Sequence, residues 1–424
     1  MGYTPSAWKL ARVVFIPKAG RTSYTKAKDF RPISLTSFLL KTLEKLVDAY
    51  LRETTLWRHP LHKNQHAYRS GYSTETALHQ TVAFIKEQLE RKGYAVGAFL
   101  DIEGAFNNTP QEVVCEEAAR RGVPMKLVEW IRGMLGRRVM TLLGTAKVCG
   151  WVERGCPQGG VLSPLLWCLV ADGLLKALDD RGFTVQGYAD DVAILVRGPF
   201  LETLLELMQG ALEVVEELCQ RTGLAVNPLK TGLTVFTPKY KVGIIVGSTL
   251  GGVRLVPTKS VKYLGVILDK KLLWKEHLRN RCKSLCQYFW MCRRTFGQTW
   301  GLKPSMIHWI YTAILRPRLT YAAVVWWTRV QKKNSQICAG ACQGSDFERG
   351  PGCYGYDTSG GDGRNVRHQT ISSGGGGCGS SGDIPSKMRT KMEEGSPAYE
   401  AAGRRSVGSD IRDATGQNTY YSGL

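Results

Sequence analysis

The sequence predicts an α+β fold: an antiparallel β-sheet carrying helices on one face, followed by a disordered tail. Three observations carry this. Apolar runs of strand length alternate with segments of helical periodicity throughout residues 1–330. Two short apolar strands within Thr184–Val196 flank an acidic turn. Beyond Val330 the aliphatic residues thin out, and the last 94 residues hold 19 of the 47 glycines, including the run Gly374–Gly377. Such a segment buries too little apolar surface to offset its ordering entropy.

The elements follow in order. Val13–Pro17 (VVFIP) reads as a strand, and Phe38–Tyr50 and Thr74–Glu90 as helices. Tyr94–Ile102 reads as a strand and Val123–Leu135 as a helix. RVMTLLG and KVCGWVERG, within Arg138–Gly155, form a hairpin around Gly144. Val161–Asp180 is a long helix with Pro164 in its first turn, where proline is tolerated. Leu201–Arg221 is an amphipathic helix stopped at Gly223. Leu233–Phe236 and Val261–Leu268 are further strands, and Lys275–Val325 is mostly helical and basic.

Composition bounds the partners. The chain has 424 residues, 43% of them hydrophobic, and a formal charge of +21. That surface favours a polyanion. No apolar run reaches the ~20 residues of a membrane span, and the N-terminus lacks a signal-peptide core, so no membrane partner is expected. MGYTPS resembles a myristoylation signal too short to weigh. The twelve cysteines show no C-x-x-C pair, which reads as reduced thiols in an intracellular protein.

Acids stand where acids are costly. Asp101 closes the apolar strand AFLD, and Asp190 and Asp191 sit side by side in YADDVAIL. Adjacent like charges between apolar strands call for a neutralising cation. Oxygen ligands of this kind suit magnesium, and two ions roughly 3.5–4 Å apart serve phosphoryl transfer. Between the acids lies GCPQGGVLSPLLW, whose turn Pro157-Gln158-Gly159-Gly160 allows backbone to approach a ligand closely.

FLDIEGAF, GCPQGGVLSPLL, YADDVAIL and GLAVNPLKTGLTVF, taken in order, resemble the successive palm motifs of reverse transcriptases. The likeness is to those of non-long-terminal-repeat retrotransposons, of the jockey-like kind from insects, and runs over roughly residues 8–330. It implies a right-hand polymerase fold: fingers and palm over residues 1–268, a helical thumb over 269–330, then the tail 331–424. It implies an RNA-directed DNA polymerase that extends a DNA primer on an RNA template with deoxynucleoside triphosphates and two magnesium ions. Its other ligand is the RNA–DNA duplex, and its site of action is nuclear.

The resemblance also assigns roles. Asp101 and Asp190 are the principal metal ligands, Asp191 is accessory, and Ile102 offers a backbone carbonyl. Phe106 resembles the steric gate beneath the incoming sugar. Gln158, with Gly159 in the same turn, resembles the residue packed near the nucleotide. Lys18 in FIPKAG and Arg31 in DFRPISL resemble finger residues gripping the triphosphate. Lys230 in NPLKTG resembles a palm lysine near the phosphates. Leu264-Gly265 in YLGVIL resembles the turn positioning the primer end. Gln65, Arg69 and Ser73 either touch template or pack locally. His62, His66 and His79 lack partners spaced to complete a metal site. Lys270–Lys333 holds 14 basic residues against the single acid Glu276, a density that favours polyanion binding.

Elements of this kind also encode an endonuclease, which this chain does not show, and no RNase H carboxylate set is visible. Nicking is therefore expected to come from elsewhere. The break after the apolar YAAVVWW reads as a frameshifted or wrongly spliced tail. Two other readings stay open: an RNA-dependent RNA polymerase, disfavoured by Phe106, and a catalytically dead remnant that only binds RNA.

Overall fold

The computed structural model describes residues 3–18, 20, 23–240, 247–294 and 303–330. All belong to one unit, Met1–Cys353; a second unit, Tyr354–Leu424, and the whole of the Gly-rich tail 331–424, lie outside the described residues.

The chain opens with β1 (Leu10–Pro17) and β2 (Phe30–Leu35), then α1 (Phe38–Glu53), α2 (Thr55–Arg58) and α3 (Thr74–Glu90). Next come β3 (Tyr94–Asp101), α4 (Ala105–Asn108), α5 (Gln111–Arg120), α6 (Met125–Leu135) and the hairpin of β4 (Arg137–Leu143) and β5 (Ala146–Val152). Then follow α7 (Ser163–Asp179), β6 (Thr184–Tyr188), β7 (Asp191–Gly198), α8 (Leu201–Thr222) and β8 (Gly232–Phe236). Short strands β9 (Thr249–Leu250), β10 (Val253–Arg254) and β11 (Pro257–Thr258) precede β12 (Ser260–Tyr263) and β13 (Val266–Asp269). The C-terminal helices are α9 (Lys275–Arg294), α10 (Pro304–Ile310), α11 (Arg316–Thr320) and α12 (Ala323–Val330).

The fold is mixed α and β. A five-stranded sheet of order β11-β8-β3-β7-β6 lies at its centre, antiparallel except where β11 joins β8. A second sheet runs β2-β1-β4-β5. Ser73 caps α3 by accepting the Thr76 amide at 3.3 Å, which fixes the start of that helix where the sequence placed it.

One expectation is corrected. The central sheet carries helices on both faces, not one. Val96, Ala98 and Leu100 of β3 join one core with α5, α6, α7 and α8. Ala95 and Phe99 of the same strand join a second core with α3, α9 and α12. The cause is visible in YAVGAFLD, a continuous apolar run rather than an alternating one, which must be covered on both sides. In α7, twelve of seventeen residues are buried, so it forms the interior of the first core rather than an amphipathic cover. Val261–Leu268 is likewise two strands, β12 and β13, paired antiparallel around Leu264-Gly265, both of positive φ. No helix among the described residues is long and apolar enough to cross a membrane.

Candidate active site

The central strands set the acids. In the antiparallel register of β3 on β7, Asp101 lies directly opposite Asp191. Cross-strand partners have Cβ atoms about 5 Å apart. Asp190 occupies the turn between β6 and β7. That turn is strained: Ala189 has φ of 56°, a region costly for any residue with a side chain. It is held by the buried indole of Trp167, whose Nε1 donates to the Ala189 carbonyl at 2.8 Å. The same ring lies 6.2 Å from that of Phe106, so one side chain of α7 braces both the acidic turn and the gate candidate.

The acids lie within one another's electrostatic field and repel. Burial pushes the Asp191 carboxyl up to about 6, and the charges of Asp190 and Asp101 add to the rise. Asp190 keeps an open rim to solvent, yet burial raises its pKa too, and Asp101 adds to it; its own backbone amide, Arg31 and Lys230 pull the other way. Arg31, exposed on β2, is thereby brought into the field of the acids. Lys230 Nζ pairs with Asp101 Oδ2 at 2.6 Å. The loop that carries it is tied down where Asn227 N donates to the Asp101 carbonyl at 3.1 Å.

Ile102 is buried and bridges Val226. The hydrogen bonds flanking this bridge use the carbonyls of Asp101 and Ala225, so the Ile102 carbonyl takes no part in it. The donor set of three carboxylates and one carbonyl is all oxygen, which fits a hard divalent cation. Among the described residues no three His, Cys, Asp or Glu side chains stand together as a group that could hold a metal ion without rearrangement. With Lys230 on Asp101, an ammonium already offsets part of the cluster's charge.

The Gly155–Gly160 turn is slung between two buried charges that sequence reasoning missed. At one end Arg137 donates to the Gly155 carbonyl at 3.1 Å. At the other, Glu44 Oε2 accepts the amides of Val161 at 2.5 Å and Leu162 at 3.0 Å, just before α7 begins. Burial raises the Glu44 pKa, against the pull of those amides and of Lys41 and Arg137. Ser34 of β2 donates to the Gln158 carbonyl at 2.6 Å. Gly159 has φ of 108°, and a Cβ there would stand 2.9 Å from the Ser34 carbonyl, so only glycine fits. Cys156 N donates to the Phe106 carbonyl at 2.6 Å, stitching the turn to the half-buried Phe106. Gln158 itself is half-buried.

Other candidates sit further out. Lys18 directly follows β1, its Nζ donating to the Lys28 carbonyl at 2.8 Å. Leu264 and Gly265 form the β12/β13 turn, where Tyr321 donates its hydroxyl to the Leu264 carbonyl at 2.8 Å. Their neighbour Tyr263 is fully buried and its pKa is raised, first by burial and then by the Asp191 charge, which places the hairpin beside the acids. Tyr68, of φ 56°, also lies in the field of Asp190. Gln65, Arg69 and Ser73 pack locally: Gln65 Oε1 accepts the Ala67 amide, Arg69 donates to the His62 and Gln65 carbonyls, and Ser73 caps α3. His66 is buried among Thr76, Gln80 and Gln186, and His62 pairs with Asp179.

The signals for Trp167 and Glu44 were faint. An indole in a helix buried all round must find an acceptor for its N–H, and a carboxylate on the inner face of α1 must find donors. Neither rule says where the partner lies in a chain folded from such distant segments.

A family model described as "Reverse transcriptase (RNA-dependent DNA polymerase)" matches residues 16–268. The RNA-directed DNA polymerase from mobile element jockey of Drosophila melanogaster is 29% identical over 337 residues, covering 77% of this chain and 36% of that protein. The Pol polyprotein from type-1 retrotransposable element R1 of Bradysia coprophila is 27% identical, covering 80% of this chain and 34% of that protein. The chain thus spans about a third of the length of these relatives. Among solved structures, apo telomerase from Candida tropicalis is 11% identical with a TM-score of 0.45, covering 64% of this chain and 49% of that one.

Proposed function

The chain belongs to the reverse transcriptase (RNA-dependent DNA polymerase) family, and on that premise we propose that it extends a DNA primer on an RNA template, as the polymerase segment of a non-long-terminal-repeat retrotransposon. The observation that carries this is the register of β3 on β7, which sets Asp101 opposite Asp191 with Asp190 in the adjoining turn. Asp101 and Asp190, with Asp191 and the Ile102 carbonyl, would hold two magnesium ions. Bound there, these supply Lewis-acid neutralisation of the charge developing on the reacting phosphate.

The chain's own residues do the rest. Arg31 offers a forked donor to the triphosphate, and Lys18 a point charge. Lys230, now on Asp101, exchanges that carboxylate for a nucleotide phosphate and so frees Asp101. Gln158 and Gly159 present the braced turn to the incoming deoxynucleotide, and Phe106 excludes a ribose 2′-hydroxyl. Leu264 and Gly265 position the primer end. In this reading residues 1–268 are fingers and palm. Residues 269–330 are a thumb whose basic helices grip the RNA–DNA duplex through its phosphates. The protein works inside the cell, at nuclear DNA.

Primer extension on an RNA template with magnesium tests the proposal. Wild type extends and Asp190→Ala does not, while its affinity for primer–template is retained. Extension that persists in Asp190→Ala sinks the metal assignment. No extension by purified wild type sinks the polymerase reading in favour of an RNA-binding remnant.

A further inference from the structure

At the end of β3 remote from the acids lies a concavity of about 460 Å³ that the polymerase reading does not use. It is lined by Arg91, Lys92, Arg197 and Lys239, with Gln88 and the backbone of Gly93 and Gly198. Tyr94 pairs with Gly198 at this end of the β3/β7 ladder, as Asp101 pairs with Asp191 at the other. Seven residues at ~3.3 Å each put the two sites roughly 23 Å apart.

The four cations converge. Glu87 pairs with Arg91 through one oxygen at 2.7 Å and with Arg197 through the other at 2.5 Å, which orients both guanidinium groups and neutralises one charge. Lys92 and Lys239 have no carboxylate partner among the described residues. Two nearby rings are covered by the cations: Arg197 lies 4.3 Å over Phe84, and Lys239 4.3 Å over Tyr94. No aromatic side chain lines the pocket itself, so its lining offers phosphate contacts; the exposed Phe200 and Tyr240 flank it, next in sequence to Pro199 and Lys239.

We propose that this pocket binds the phosphodiester backbone of the RNA template outside the catalytic cleft, without reading sequence. Lys92 and Lys239 supply the free charges, and Arg91 and Arg197 the oriented donors. The proposal rests on RNA being the template, but its test is a binding measurement independent of catalysis.

Two primer–templates with the same duplex are compared, one carrying a ~20-nucleotide single-stranded RNA extension and one without it. Fluorescence anisotropy over a salt series gives affinity and salt slope for wild type, Lys92→Glu/Lys239→Glu and the milder Lys92→Gln/Lys239→Gln. Loss of two phosphate contacts lowers the slope for the extended template by about 1.4, and its affinity by roughly tenfold, in the charge-reversed protein. The neutral variant falls between, and the unextended duplex is bound as by wild type. Equal weakening of both templates, or no change in slope, overturns the proposal. A thermal shift induced by pyrophosphate and lost in the variants, with no effect of the extension, also overturns it, since the pocket would then hold a small free anion. If the extended template alone is weakened while wild type fails to extend any primer, the RNA site stands and the polymerase reading falls.

Discussion

Glu44 is the place to press hardest on the braced turn. Its side chain is fully buried, yet it serves the amides of Val161 and Leu162 at the entrance to α7. Glu44→Ala strips both amides of their acceptor, leaves a cavity, and leaves the buried Arg137 without its nearby opposite charge. The buried Leu162 amide left unsatisfied costs about 1–3 kcal/mol and the partly exposed Val161 amide less, so the loss is about 3–5 kcal/mol once the cavity and the stranded Arg137 are included. Glu44→Gln behaves differently. Its amide oxygen still accepts, and the cost of burying an ionised carboxylate disappears. Because burial raises the Glu44 pKa, this residue's contribution is full at low pH and shrinks as pH rises through the raised value. At neutral pH the glutamine variant therefore stays within about 1 kcal/mol of wild type. Urea unfolding at pH 7 measures both. Nucleotide kinetics supply the second readout, since a slackened Gln158 turn raises KM for deoxynucleotide in Glu44→Ala and not in Glu44→Gln. Equal losses in the two variants, or an alanine loss under about 1 kcal/mol, would refute the brace.

Three further outcomes are expected. Phe106→Val opens the space beneath the sugar and raises ribonucleotide incorporation roughly 10- to 100-fold, measured as the ratio of kcat/KM for the two nucleotide types; unchanged discrimination removes Phe106 as the gate. Trp167→Phe keeps the ring but loses the bond to the Ala189 carbonyl, costing about 1 kcal/mol in urea unfolding and lowering kcat more than it changes KM; an effect on stability alone separates the indole from the acids. His277 is buried with Nδ1 accepting the Ile267 amide at 3.2 Å, and burial pushes its pKa down to about 4. The unfolded chain takes up the proton first, so stability is full above about 6.5 and falls by about 3 kcal/mol as pH drops to 4. Unfolding of wild type and His277→Gln across that window should show the difference in slope; parallel curves would mean His277 is not held neutral.

What the sequence made legible was local or periodic. The bounds of α3 follow from a serine cap and a glycine-free helical run. The left-handed Gly223 ends α8 at the predicted place. The acidic turn between two apolar runs announced Asp190 and Asp191. What stayed hidden joins residues far apart in the chain. Glu44 reaches Val161 across 117 positions, and Trp167 meets Ala189 only because α7 lies along the sheet. The second face of the sheet was misread because two of the helices that cover it, α9 and α12, come long after β3 in the chain, and α3, just before β3, gives no sign of which face it takes. Within Val261–Leu268 the apolar run does not break at Leu264-Gly265, so pattern alone gave one strand, and the turn there came only from the family resemblance.

The two-sided burial of β3 has a consequence for fidelity of folding. A strand buried on one face finds its register by polarity, but β3 is apolar on both and must be read by size. Its small residues stand where neighbours press closest: a Cβ on Gly97 would come within 3.0 Å of the Phe99 ring and 3.2 Å of Leu195. A slip of one residue would drive the Phe99 ring toward α7 and α8, into the layer now occupied by Ala98, and would carry Asp101 away from Asp191 in the same movement. Close packing thus proofreads the catalytic alignment: a chain that has mis-set its acids has also overfilled one core and emptied the other.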